Sequence, residues 1–214
     1  MKTVAILGSG LVGQTLAGGF AKHGYGIVIG TGHPEKKIEW KDAALQKLKL
    51  RKYVEAAEAA EVIVVAVKGP VAEDVVRGVA SQIAGKIVVD ASNPIAEVPP
   101  DNGVLQFFTS LDRSLMERLQ KLAPAAHFVK AFNSVGAAFM VNPDFGGLRP
   151  TMFICGDHAP AKQEVTAILE QFGWEVEDMG GAQGARAIEP LCMLWCIPGL
   201  LRNQWSHAFK LLKK

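Results

Sequence analysis

Gly8, Gly10 and Gly13 are spaced G-x-G-x-x-G. They directly follow the apolar, β-branched run Thr3–Leu7 and open a helical stretch reaching to about His23. Gly8 allows a tight turn, and Gly10 lets the backbone approach a pyrophosphate, since a Cβ there would stand in the ligand's place. Gly13 lets helix and strand pack closely. Free N–H groups and the helix dipole at such a turn attract phosphate. The spacing alone is weak. Its place inside a β-α-β unit of about 30 residues makes it a dinucleotide-binding signal.

The end of the second apolar run, residues 27–29, chooses the nucleotide. NAD and FAD sites normally put a carboxylate there for the ribose hydroxyls. This chain has Gly30, Thr31, Gly32 and His33, with no carboxylate until Glu35, then Lys36 and Lys37. A carboxylate repels a 2′-phosphate, whereas a hydroxyl, an imidazole and ammonium groups attract one. The expected cofactor is therefore NADP(H), and the missing carboxylate also counts against a methyltransferase. In open sheets, ligands lie at the carboxyl ends of strands. Residues 66–70, 91–94 and 133–136 should therefore converge on the nicotinamide half. Ala66, Val67 and Pro94 would wall it, Asn93 and Asn133 bring amides, Ser92 and Ser134 hydroxyls, and Lys68 a charge for phosphate or substrate.

These residues need strands that end together. Short apolar runs at 3–7, 27–29, 61–67, 86–90, 128–132 and 152–155 alternate with helical stretches, including 71–83, 111–122 and 160–172. Pro34 suits a helix start, Asp157 suits a cap for the helix from 160, and 174–178 reads as an edge strand. Strands alternating with helices imply an α/β fold with a doubly wound, mostly parallel Rossmann sheet. The alternation stops near Gly184. The expected division is a dinucleotide-binding domain at 1–183 and a short C-terminal helical region at 184–214, packed on it or on a second subunit.

Composition excludes other classes. With 49% hydrophobic and 21% charged residues over 214 positions, the chain is globular rather than disordered. A net charge of +2 argues against a dedicated nucleic-acid or membrane-surface binder. The longest apolar stretch, 191–201, is broken by Pro198 and Gly199 and falls short of the ~20 residues that span a bilayer. Three cysteines make no disulfide framework. Cys192 and Cys196 share a helix face, but no His or acidic cluster completes a metal site. The expectation is a cytoplasmic protein without metal. Leu191, Met193, Leu194, Trp195, Ile197, Leu200 and Leu201 are too many apolar side chains for one helix face, so a homodimer is expected.

The chain is poor in positioned acids. Tyr25 and Tyr53 begin no Tyr-x-x-x-Lys pattern, His127 precedes a strand, and His158 alone reads as lying at a carboxyl edge. A carbonyl reductase needs a proton donor for the alkoxide. A flavin-like acceptor delocalises its charge and needs mainly stacking and alignment. No catalytic side chain is assigned.

The segments VAILGSGLVGQTLA, GTGHPEKK, VVAVKGP, VVDASNP, VKAFNSVGAAFMVNP and ARAIEPLCMLW resemble, in this order, the NADP oxidoreductase, coenzyme F420-dependent family, which includes the reductase-like domain of membrane metalloreductases. The resemblance covers essentially the whole chain. It implies hydride transfer between NADP(H) and a flavin or deazaflavin as small-molecule electron acceptor. Carried over by position, Ser9, Gly10, Leu11 and Val12 match the pyrophosphate loop, Thr31, Gly32, His33 and Lys36 the 2′-phosphate loop, and Ala66, Val67, Asn93 and Asn133 the strand ends beside the nicotinamide. Family members often carry arginine in the 2′-phosphate loop, where this chain has Gly32 and His33. A non-catalytic NADP-binding redox sensor and an imine or carbonyl reductase are the alternative readings.

Overall fold

The computed structural model describes residues 1–40 and 42–214. Six strands form one parallel sheet: β1 Thr3–Leu7, β2 Gly26–Gly30, β3 Leu50–Arg51, β4 Val62–Val65, β5 Ile87–Asp90 and β6 His127–Lys130. Their order is β3-β2-β1-β4-β5-β6. The chain leaves β1 toward one edge and returns at β4 toward the other, so a crevice opens at the carboxyl ends of β1 and β4. This is the expected doubly wound Rossmann-like sheet.

Side chains alternate between its faces. Val4 and Ile6 of β1 join one core, while Ala5 and Leu7 join the other. β4 repeats the division with Val62 and Val64 against Ile63 and Val65. Both faces are covered: α1 (Leu11–Lys22) and α5 (Ala159–Gln171) lie on the first, and α2 (Tyr53–Glu58), α3 (Gly69–Val79) and α4 (Leu115–Leu122) on the second. A strand buried on both sides reads as an unbroken apolar run, which is why the runs were visible.

Several bounds differ from expectation for identifiable reasons. β4 covers less than 61–67 because Ala66 and Val67 turn into the crevice. The stretch after Pro34 is a turn rather than a helix, and the crossover reaches the two-residue edge strand β3, too short to announce itself. α4 begins at Leu115, not 111, because Ser114 caps it: its hydroxyl accepts the Glu117 N–H at 3.2 Å. The helix from Ala159 is capped by His158, whose Nδ1 accepts the Ala161 N–H at 3.2 Å. Asp157, the expected cap, accepts the Ala182 N–H instead.

β7 (Thr151–Ile154) and β8 (Glu175–Asp178) pair in parallel as a separate two-stranded sheet. An antiparallel bridge joins this sheet to β6, with the Lys130 N–H donating to the Cys155 carbonyl at 2.9 Å. Gly156 makes the approach feasible, since a Cβ there would stand 2.4 Å from the Phe128 carbonyl oxygen. The reversal corrects the reading of His158. The end of β7 lies at the amino end of β6, and the His158 ring stacks on His127 with centroids 3.7 Å apart. His158 is thus at the edge opposite the crevice.

The C-terminal part contains α6 (Ala185–Ile188) and α7 (Leu191–Arg202). After Asn203, which adopts a left-handed turn, the tail runs back along β7, where Thr151 N–H donates to the Phe209 carbonyl at 2.8 Å. The helical stretch Ala182–Arg202, at 21 residues, is by length and composition long and apolar enough to cross a bilayer, more than the 191–201 run implied. Here it packs on the domain through Ala182, Ala185 and Ile188, with Glu189 buried.

Burial, with a smaller contribution from His158, lowers the His127 pKa. The unfolded chain then takes up a proton before the folded one, so stability is lost as pH falls through the unfolded value of about 6.5. The melting temperature should therefore fall between about pH 7 and 5, and His127→Phe should flatten that slope. An unchanged slope in the variant contradicts this role.

Candidate functional site

The glycine turn is built as its spacing requires. Gly8 has φ +130°, and a Cβ on it would lie 2.2 Å from the Ala66 carbonyl oxygen. One on Gly13 would lie 2.0 Å from the Gly8 carbonyl oxygen. A Cβ on Gly10 would meet nothing within 4 Å, because Gly10 faces the crevice. Gly10 caps α1 without any side-chain hydrogen bond, and no acidic residue stands in the first turn. Uncapped N–H groups at an open helix start are an anion site. The turn is braced from behind, since Gly8 N–H donates to the Gly30 carbonyl and Gln14 Nε2 to that of Ser9.

From this turn the crevice runs two ways. Toward β5 lies a cavity of about 620 Å³ lined by Gly10, Leu11, Val12, Ala66, Val67, Lys68, Ser92 and Asn93. Gly69, Pro70, Ala91 and the segment 95–97 complete it. Glu97 in that segment went unnoticed in the sequence, since nothing in its local pattern points to the crevice. The 66–70 and 91–94 loops touch, because a Cβ on Gly69 would stand 2.1 Å from the Asn93 carbonyl oxygen. Toward β2, Ser9 Oγ donates to Thr31 Oγ1 at 3.3 Å, which also accepts the His33 N–H. The Thr31 hydroxyl hydrogen is left free for another acceptor. Gly32, His33 and Lys36 follow on the exposed side of this loop. His33 has a neighbour not foreseen: its Nδ1 is 3.4 Å from a Glu35 carboxylate oxygen.

Asn133 and Pro94 stand behind the cavity wall rather than in it. Asn93 Nδ2 donates to the Asn133 carbonyl at 2.9 Å, and Asn133 Nδ2 to the Ile188 carbonyl at 2.8 Å. Asn133 is aimed by Phe132, a buried residue with φ +63°. A left-handed conformation at a bulky residue is strained by roughly 1–3 kcal/mol and persists only where surroundings impose it. It ends β6 at Lys130 rather than at 132. Asn133 Oδ1 is the buried side-chain polar atom left without a hydrogen-bond partner among the described residues.

Beneath these strand ends lies a charge cluster that sequence reading missed entirely. Asp90 and Lys130 are register partners on β5 and β6, so both project on the same face. Lys130 Nζ is 2.9 Å from Asp90 Oδ2, 3.1 Å from Glu189 Oε1 and 2.7 Å from the Ser92 carbonyl, and all three charged side chains are buried. Asp90 Oδ1 accepts both the N–H and the hydroxyl of Ser92. Glu189 accepts the N–H groups of Leu115 and Met116, at the start of α4. Burial alone would lower the Lys130 pKa. The two carboxylates more than offset it and hold the pKa above the ordinary lysine value. Burial pushes the nearby Cys155 thiol up to about 12, so it is inert. Among the described residues no group of three or more His, Cys, Asp or Glu side chains is arranged to hold a metal.

Residues 3–94 match the profile of the family described as NADP oxidoreductase, coenzyme F420-dependent. Residues 3–94, from β1 to just past β5, are thus similar to the NADP oxidoreductase domain of this family. An F420-dependent NADP reductase of Methanothermobacter marburgensis is 28% identical over 95% of this chain and 96% of its own length. The metalloreductase STEAP3 of Rattus norvegicus is 34% identical over 92% of this chain, which spans 38% of that protein's length. The crystal structure of an Arthrobacter sp. FB24 protein, described as a candidate F420-dependent NADP reductase, superposes over all of both chains with a TM-score of 0.91 at 29% identity. In this chain the segments VVDASNP, VKAFN and IEPL, far apart in sequence, meet at the Asp90–Lys130–Glu189 cluster.

Removing one member of such a cluster leaves uncompensated buried charge. Lys130→Met should destabilise the protein by about 3–5 kcal/mol in urea unfolding. A loss below about 1 kcal/mol would mean that the cluster is not what holds these segments together.

Proposed function

We propose that the chain binds NADPH along this crevice and passes hydride between the nicotinamide and a flavin or deazaflavin acceptor. The observation that carries the reading is the open Gly10 turn, an uncapped helix start opening onto an apolar cavity at the topological switch point. Gly8, Ser9, Gly10, Leu11, Val12 and Gly13 would hold the pyrophosphate. Thr31, Gly32, His33 and Lys36 would hold the 2′-phosphate. Ala66, Val67, Lys68, Ser92, Asn93 and Pro94 would bound the nicotinamide end, with Asn133 fixing Asn93. When bound, the dinucleotide supplies the hydride, and the protein's task is to exclude water and align two rings. His158, the one histidine that read as lying at a carboxyl edge, stacks on His127 at the opposite edge, and among the described residues no histidine or tyrosine lines the cavity. Relatives called F420-dependent NADP reductases support a deazaflavin as the acceptor.

The division into residues 1–183 and 184–214 belongs to this reading, as does a homodimer in the cytoplasm. Leu194, Leu200, Leu201 and Trp205 are exposed around α7 and favour a covered face. The described cysteines are all free thiols, as a reducing compartment maintains. Sedimentation should show a dimer at micromolar concentration, and a monomer would remove that part of the proposal.

Gly10→Val should fold, because space is open there, yet lose NADPH binding because its methyls fill the turn. Retained affinity in a folded variant would remove the loop from the cofactor site. The parent should bind NADPH at least ~10-fold more tightly than NADH, as one charge-assisted hydrogen bond of about 1.5–3 kcal/mol implies. It should also oxidise NADPH with coenzyme F420 or a flavin. Binding without turnover on any such acceptor would favour the redox-sensing module.

A further inference from the structure

The β2 loop is short of committed positive charge for a 2′-phosphate. Thr31 offers a neutral hydroxyl, and Gly32 offers only backbone. The imidazole of His33 faces the Glu35 carboxylate at 3.4 Å, which holds a negative charge beside the place where an anion would sit. Lys36 lies beyond the turn at Pro34 and Glu35, on a flexible stem in an irregular segment.

The edge strand β3 changes this balance. It runs parallel to β2, with Ile29 opposite Leu50 and Gly30 opposite Arg51. Parallel strands end on the same side of a sheet, so β3 delivers its last residue to the same edge as the β2 loop. The Thr31 N–H donates to the Arg51 carbonyl at 2.9 Å, which joins the two backbones directly. Arg51 is exposed, and its guanidinium has no hydrogen bond or ion pair among the described residues. Gly30 leaves no side chain on β2 in register with it. The sheet ladder anchors the Arg51 backbone beside Thr31, and its unpaired guanidinium is a planar, always charged donor fork, the group best shaped for phosphate.

We infer that Arg51 is the residue that selects the 2′-phosphate of NADPH, supplied from the edge strand rather than from the loop after β2. This rests on the proposed binding of NADPH in the crevice. Arg51 stays outside the hydride-transfer end, so it acts on affinity and on the choice between dinucleotides, not on ring alignment. Lys36 adds an attraction that is screened by salt, whereas the Arg51 fork makes direct hydrogen bonds.

The test is calorimetric titration of the parent protein, Arg51→Ala and Arg51→Lys with NADPH and NADH, and with the fragments 2′,5′-ADP and 5′-ADP. Arg51→Ala should weaken NADPH and 2′,5′-ADP by about 10–100-fold, the effect of losing charged hydrogen bonds. NADH and 5′-ADP should change by less than about twofold. Arg51→Lys should recover only part of the loss, since an ammonium lacks the fork. Far-UV circular dichroism and an unchanged NADH affinity verify the fold of each variant. If the parent prefers NADPH and Arg51→Ala keeps that preference, the assignment of Arg51 is wrong while the NADPH reading stands. Equal weakening of 2′,5′-ADP and 5′-ADP would also overturn it, placing Arg51 on the adenosine instead. If the parent itself shows no preference for NADPH, the underlying reading fails first.

Discussion

The buried ammonium of Lys130 is the interaction on which the carboxyl edge of the sheet depends. It draws together Asp90 at the end of β5, the Ser92 carbonyl two residues later, and Glu189 between α6 and α7. Glu189 in turn satisfies two backbone N–H groups at the start of α4. A buried ion pair gains little net stability over an apolar replacement, because desolvation offsets the attraction. Its effect is positional. Two carboxylates and one ammonium inside the fold tolerate few arrangements, and the one adopted sets where the 91–94 loop and α6 must lie.

That constraint reaches the crevice through amides. Asn93 donates to the Asn133 carbonyl, and Asn133 to the Ile188 carbonyl, directly before Glu189. The strained backbone of Phe132 is the local consequence, since β6 must turn sharply to present Asn133 to both neighbours. The cavity wall is thus held by groups that are used up in holding it. The hydroxyl of Ser92 is spent on Asp90, and Asn133 lies behind the wall. The exposed charges at the mouth, Lys68 and Glu97, are the ionisable groups that the cavity itself presents. An apolar wall without a positioned histidine or tyrosine suits ring alignment better than proton donation.

Much of this was legible from the chain alone. Strands buried on both faces show as continuous apolar runs, so β1, β4, β5 and β6 stood out, and the glycine spacing located the turn between β1 and α1. The strand-end loops followed from topology. Three things were not legible, each because it depends on pairing across distance in sequence. β3 is two residues long and carries no periodic pattern, so the position of Arg51 beside Thr31 was invisible. The antiparallel joining of β7 to β6 placed His158 at the opposite edge from the one its loop position implied. Asp90, Lys130 and Glu189 sat inside recognised segments, yet each alone reads as an ordinary charged residue. Only the register of β5 with β6 and the return of α6 show that they meet.

The charge state of Lys130 tests the account most directly. In ¹⁵N-edited NMR of lysine side chains, an ordinary lysine is half neutral near pH 10.5. The Nζ resonance of Lys130 should still be a slowly exchanging ammonium at that pH, and should broaden in a Glu189→Gln variant. A Lys130 signal that titrates at or below 10.5, or exchanges as fast as the surface lysines, would contradict the claim that a buried, fully paired ammonium organises the site.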